Sequence, residues 1–178
     1  MNTQQLQSVL LRYKSTCQQF GGVCPADGIP HHVTSRPRIY IVNTDPSGYK
    51  GRHWVAFYFP LEGPCEYFDS AGKPPRLHWF KDALRQNGPE FIYNTRRIQD
   101  VRTWTCGPYC LFYALLRCCG WTLKDIVNVF DSDLRSNEHF IHNFMRRLYR
   151  QKYERRHKQK YIQKGSQSIP CRLSNTRL

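Results

Sequence analysis

The sequence predicts an α+β domain in which a central mixed or antiparallel sheet is flanked by helices, one of them buried. Three observations carry that prediction. Short β-branched and aromatic runs at 39–43, 54–59 and 65–69 are separated by turn-forming clusters, as in neighbouring strands of one sheet. The run 109–119 is apolar nearly all round, which marks a helix enclosed by its own protein. Amphipathic helical patterns stand near both ends, and no internal repeat or long linker divides the chain.

Each element follows in order. Leu6, Val9, Leu10, Tyr13 and Cys17 recur at helical spacing, so 3–18 is expected to be one amphipathic helix ending before Gly21-Gly22. Residues 23–37, punctuated by Pro25, Gly28, Pro30 and Pro37, are expected to be loop, with His31-His32 as part of it. The strand at 39–43 ends at Asp45-Pro46-Ser47-Gly48, and the strand at 54–59 is apolar on both alternating faces, as at the centre of a sheet. The strand at 65–69 closes on Ser70-Ala71-Gly72 and would pair with its predecessor as a hairpin. Such pairing brings the start of one strand near the end of the next, making His53 and Asp69 neighbours. Residues 75–87 read as a helix with Leu77, Phe80 and Leu84 inward, stopped by Gly88-Pro89, and 91–99 as a further strand. Thr122-Leu123-Lys124-Asp125 is a capping-box-like start for a short helix with Leu123, Ile126, Val127 and Phe130 on one face. From 137 to about 164 a helix begins with Phe140, Ile141, Phe144, Met145 and Leu148 facing a core and then turns basic; the last dozen residues are expected to fray.

A chain of 178 residues suits one folded domain, expected over 1–150, followed by a basic arm over 151–178 that is partly helical and then disordered. The formal charge is +14, and eleven Lys or Arg against one acid, Glu154, fall between Arg146 and Leu178. Charge of that density attracts phosphate backbones by counterion release, so Arg146, Arg147, Arg150, Lys152, Arg155, Arg156, Lys158 and Lys160 are candidate DNA contacts. The longest apolar stretch is far short of the ~20 residues that cross a bilayer, and no membrane partner is expected. The eight cysteines show no secreted framework: no signal-peptide pattern opens the chain, and Cys106, Cys110, Cys118 and Cys119 crowd one apolar helix. A reducing compartment follows. Cysteine and histidine spacings do not fit a structural zinc site, so no metal is predicted.

The segment Thr105-Cys106-Gly107-Pro108-Tyr109-Cys110 carries the chemistry. Cys106 lies where a polar, basic stretch gives way to the apolar helix, and the free N–H groups and positive dipole end of that first turn favour a thiolate. A thiolate nucleophile needs a base, and His53, held by Asp69, is the candidate. Cys110, Cys118 and Cys119 read as buried apolar filler. Asp100 reads as loop surface. Trp54 and Trp104 flank the presumed site and could wall a narrow cleft, and Gly107 would let a substrate backbone approach closely.

The order His53-Trp54, Asp69, Gln99, Cys106-Gly107 resembles the adenovirus-type endopeptidases (adenain) and, more distantly, the Ulp1-like SUMO-specific peptidases of the same superfamily. The resemblance covers about 39–112. Its specific pieces are Ile41-Val42-Asn43-Thr44, Gly51-Arg52-His53-Trp54-Val55-Ala56-Phe57, Cys65-Glu66-Tyr67-Phe68-Asp69-Ser70-Ala71-Gly72, and Gln99 through Cys106-Gly107. It implies a papain-like fold and a thiol endopeptidase with a Cys106-His53-Asp69 triad, in which Gln99 and the nucleophile's N–H bind the oxyanion. It also implies viral precursor or structural proteins as substrates, virion maturation in the host nucleus, a monomer, and DNA as a possible activator rather than an obligatory cofactor. In that family a short peptide also activates through a disulfide. Here Gly88-Pro89-Glu90 stands where the linking cysteine would fall, so only a noncovalent peptide activator stays open. Two other readings are a Ulp1-like SUMO or ubiquitin-type isopeptidase and a nonenzymatic nucleic-acid-binding virion protein.

Overall fold

The computed structural model describes residues 1–166, with side chains as far as Arg150. Packing divides the chain into two units, Met1–Ile141 and His142–Leu178. The first unit contains one sheet whose strands follow sequence order: β1 (Phe20–Cys24), β2 (Arg38–Asn43), β3 (Trp54–Phe59), β4 (Cys65–Phe68) and β5 (Phe91–Tyr93). The β2–β3–β4 centre is antiparallel, and β1 and β5 join its edges in parallel. A parallel neighbour requires a crossover, and between β4 and β5 it contains α3 (His78–Asn87). The α+β class with a mixed sheet is as the sequence predicts.

Strand alternation explains why β3 is apolar on both faces. Phe57 meets Tyr67 across the β3–β4 pair and Phe80 of α3, edge to face, with ring centroids 5.1 and 5.0 Å away. Complete burial of a side chain such as Phe80 contributes about 1.5–3 kcal/mol, which anchors α3 to this face. On the opposite face Phe68 stacks at 4.6 Å on Tyr113 of α4 (Cys106–Arg117). Glu66 enters the same layer, where the Tyr113 hydroxyl donates to it at 2.6 Å and Arg117 Nε at 2.9 Å. A buried carboxylate without those partners would oppose folding.

Several elements depart from expectation. The predicted helix 3–18 is two, α1 (Thr3–Leu10) and α2 (Lys14–Gln19). At the break Thr16 Oγ1 turns back to the carbonyls of Leu10 and Tyr13, a side-chain bond that competes with helix continuation. Strand β1 lies partly in the segment read as a glycine stop. Gly21 is seated under the Tyr40 ring, where a Cβ would come within 2.2 Å of Cζ. Helix α3 starts at His78 rather than 75, because Leu77 is still extended. The run 91–99 is strand only to Tyr93; Asn94 leaves the ladder for a task described below. Helix α5 (Leu123–Asn128) has the expected cap, with Thr122 Oγ1 accepting from the Asp125 N–H at 3.1 Å. Helix α6 (Leu134–Ser166) begins three residues before the predicted 137.

In the second unit, Met145 and Leu148 are buried while Arg146, Arg147 and Arg150 are exposed around a shallow concavity with Asn143 and Tyr149. The side chains of Lys152, Arg155, Arg156, Lys158 and Lys160 lie outside the described residues, as does the predicted frayed end. Among the described residues no helix is long and apolar enough to cross a membrane.

Candidate active site

Helix α4 opens with Cys106 itself. No side chain caps its first turn: Thr105 Oγ1 instead donates to Glu138 Oε2 at 2.7 Å, and Pro108 has no N–H to offer. The Trp54 and Gly107 backbone N–H groups both favour the charged form of the Cys106 sulfur. Burial alone would push this thiol up. A hydrogen bond and the positive charge of His53, with those two N–H groups, outweigh burial and hold it below the ordinary thiol value.

His53 sits at the entry to β3, its carbonyl accepting from the Thr44 N–H at 2.9 Å and so extending the β2–β3 ladder by one rung. Its Nε2 lies 2.7 Å from Asp69 Oδ1. The ring is also hydrogen-bonded to Cys106, which leaves Nδ1 as the nitrogen facing the sulfur. Burial disfavours the imidazolium, yet the bonds to Asp69 and Cys106 carry the imidazole up to about 9. The two shifts run in the direction that favours a thiolate–imidazolium pair over the neutral thiol and imidazole. Asp69, buried just past β4, also accepts from the Ala71 N–H at 2.8 Å on the oxygen that faces His53.

The structure thus brings His53, Asp69 and Cys106 together, as the hairpin spacing implied for the first two. Gln99 lines the same cavity of about 380 Å³. Its Oε1 accepts from Ser70 Oγ at 2.6 Å, and its Nε2 donates to the Thr103 carbonyl at 3.1 Å and to Thr103 Oγ1 at 3.3 Å. Trp104 is 81% exposed on the cavity rim. Trp54 and Gly107 are placed differently. Trp54 Nε1 donates to the Met1 carbonyl at 3.2 Å, and a Cβ on Gly107 would meet Met1, Trp54 and Leu6 at 3.3–3.6 Å. The close approach permitted at Gly107 is that of the chain's own N-terminal segment.

Three positioning residues escaped the sequence reading. Asn94 brackets the Asp69 backbone, accepting from the Asp69 N–H at 2.9 Å and donating to its carbonyl at 2.6 Å. An Asn-Thr pair ending an aromatic run was the available signal, since it reads as a turn rather than strand. Ser70 fixes Gln99, and its carbonyl accepts from the Ile98 and Gln99 N–H groups at 3.0 and 3.1 Å. Glu138 of α6 ties down the loop before Cys106: it accepts from the Asp100 N–H at 3.0 Å, the Thr105 hydroxyl at 2.7 Å and the Tyr109 hydroxyl at 3.2 Å. Asp100 is accordingly buried rather than loop surface, and the Arg102 guanidinium beside it holds its carboxyl down at about 2.

Glu138→Ala leaves the buried Asp100 N–H unpaired, at about 1–3 kcal/mol, and takes one partner each from the Thr105 and Tyr109 hydroxyls, which keep Thr103 Oγ1 and the Ile98 carbonyl. With partial relaxation, a net loss of about 3 kcal/mol and a melting point lower by roughly 10 °C are expected. Glu138→Gln, which keeps an acceptor oxygen, is expected to lose less than half as much. Equal melting of wild type and Glu138→Ala would refute the tie.

No family model matches the chain. Among curated proteins it is similar to the SUMO-1 cysteine protease of African swine fever virus, Pretoriuskop tick isolate, and to the cysteine protease of the Badajoz strain. Each is 31% identical over 123 residues, covering 62% of this chain and 42% of the viral protein. The match thus spans about two-fifths of the length of those relatives. Among solved structures it is similar to the African swine fever virus pS273R protease, with 29% identity, a TM-score of 0.41, and coverage of 60% of this chain and 44% of that one. Over the matched stretch the chain is homologous to these viral cysteine proteases, in keeping with the resemblance read from its motifs.

Proposed function

We propose that this homologue of viral cysteine proteases is itself a thiol endopeptidase that cleaves viral or virus-like precursor proteins during virion maturation. The observation that carries the reading is one imidazole bonded on one side to a buried carboxylate and on the other to a cysteine at a helix N-terminus. In this reading the Cys106 thiolate attacks the scissile carbonyl, and His53 gives its proton to the departing amine. The resulting acyl-enzyme is hydrolysed by a water that His53, now neutral, deprotonates. Asp69 keeps the ring oriented throughout. The oxyanion takes the Cys106 N–H and Gln99 Nε2, replacing the longer of the two Thr103 contacts.

Iodoacetamide provides the test. One equivalent is expected to alkylate Cys106 ahead of the other thiols and to remove hydrolysis of a fluorogenic peptide in proportion. Labelling of Cys17 or Cys119, the two thiols exposed among the described residues, with activity undiminished would defeat the assignment.

A second reading, a SUMO- or ubiquitin-type isopeptidase, is favoured by the similarity to the SUMO-1 cysteine protease of the Pretoriuskop isolate. Parallel rates on a peptide and on a SUMO fusion separate the two. We also propose that DNA is held through the α6 cations, a reading supported by the exposed Arg146 and Arg147. Each phosphate contact contributes about 0.9 to the slope of log affinity against log salt, so Arg146→Ala/Arg147→Ala is expected to lower that slope by about 2. An unchanged slope would place the DNA surface elsewhere.

A further inference from the structure

The cavity over Cys106 is basic in a way that the triad does not require. Arg52, Lys73, Arg97 and Arg102 all line it. Two of these charges are already spent within the protein: Arg52 forms a double hydrogen bond with Asp45, and Arg102 with Asp100. Lys73 and Arg97 are exposed, and neither has a carboxylate within ion-pair distance among the described residues.

These two cations are held by the same backbone that holds the catalytic acid. The loop after Asp69 and the segment before Gln99 are stapled through the Ser70 carbonyl. Gly72, at φ +68°, lies so close to the Arg96–Arg97 peptide that a Cβ would stand 2.7 Å from it. Lys73 and Arg97 each adjoin that contact. That contact fixes the backbone from which both side chains reach the cavity wall that they share with His53 and Cys106.

Resting on the protease reading, we infer that the preferred substrate segment carries an aspartate or glutamate flanking the scissile bond, and that Lys73 and Arg97 receive it. Backbone contacts fix the register of an extended peptide, and the two free cations then select its flanking charge. Such exposed pairs are modest in strength: about 3- to 5-fold in kcat/KM for each cation, falling with salt.

The test uses the full chain and a set of fluorogenic peptides with one Glu moved through the positions on both sides of the cleaved bond, each beside its Gln counterpart. At least one Glu peptide is expected to be cleaved about tenfold faster than its Gln partner at low salt. Lys73→Ala/Arg97→Ala should erase that ratio while leaving the Gln peptides unaffected, and Lys73→Glu/Arg97→Glu should favour a Lys peptide. Equal rates for every Glu and Gln pair would overturn the inference, as would a ratio that survives the double substitution. Should no peptide be hydrolysed, the protease reading is what fails. The charge inference is then decided by binding of the same labelled peptides to Cys106→Ala, where equal affinities for Glu and Gln peptides overturn it. Duplex DNA affinity that drops with Lys73→Ala/Arg97→Ala while peptide discrimination does not would assign these cations to nucleic acid instead.

Discussion

Cys106→Ala is expected to abolish peptide hydrolysis, by about 10⁶-fold, the loss that follows removal of a nucleophile acting as part of a triad. The fold should survive. Cys106 occupies the first helical position, where alanine is well tolerated, and the substitution removes one sulfur from a side chain that borders the cleft. Cys110, one turn further along, provides the contrast. It is completely buried, and burial, with the Cys106 and Asp69 charges nearby, pushes its thiol well above the ordinary value. Cys110→Ala is therefore expected to lower the melting point while retaining turnover. The pair of variants is measured by peptide hydrolysis beside thermal unfolding. Activity in Cys106→Ala together with its loss in a folded Cys110→Ala would mean that the nucleophile is misassigned.

His53→Ala is expected to lower turnover by about 10⁶-fold, because removing the base of a triad costs about as much as removing its nucleophile. It should also silence the thiol. With His53 gone, the largest remaining influence on Cys106 is burial, which raises it, so alkylation at pH 7 should slow as well. In the intact protein the sign of the pH dependence follows from the same two groups. The raised imidazolium is the proton donor to the leaving amine, so kcat/KM should fall as pH rises through about 9. On the acid side, activity should persist below the ordinary thiol value, because the thiolate is already formed there. The two limbs belong to the pair, whose titrations are coupled. Asp69→Asn removes the leading support of the imidazolium and should move the alkaline limb down. A limb that does not move in Asp69→Asn would show that the carboxylate does not govern the base.

How much of this was legible beforehand depended on range. His53 and Asp69 could be paired from the sequence because a hairpin converts a short separation along the chain into proximity, and β3 and β4 are such a hairpin. Cys106 was legible because a helix start is a local event, marked by the change from polar to apolar residues. Asn94, Ser70 and Glu138 were not, since their roles are hydrogen bonds to backbone or side chains that only the finished fold brings near. Glu138 is 38 residues from Asp100, and nothing in its local sequence sets it apart from a solvated helical acid. Strand β1 was missed for another reason: Gly21-Gly22 carries no alternation, and its pairing with β2 depends on Tyr40 lying over a position without a side chain. Gln99 needed the resemblance, because an amide seven residues before a cysteine announces no chemistry of its own.

Trp104 offers an optical consequence. Its indole is 81% exposed at the mouth of the cleft, whereas Trp54 and Trp79 are partly covered and Trp121 stands 46% exposed beyond α4. A peptide seated in the cleft would dehydrate the Trp104 indole and shift its emission to shorter wavelength. Occupancy of the site then becomes a fluorescence signal that needs no turnover, and it can be followed in the inactive Cys106→Ala chain, with Trp104→Phe as the dark control.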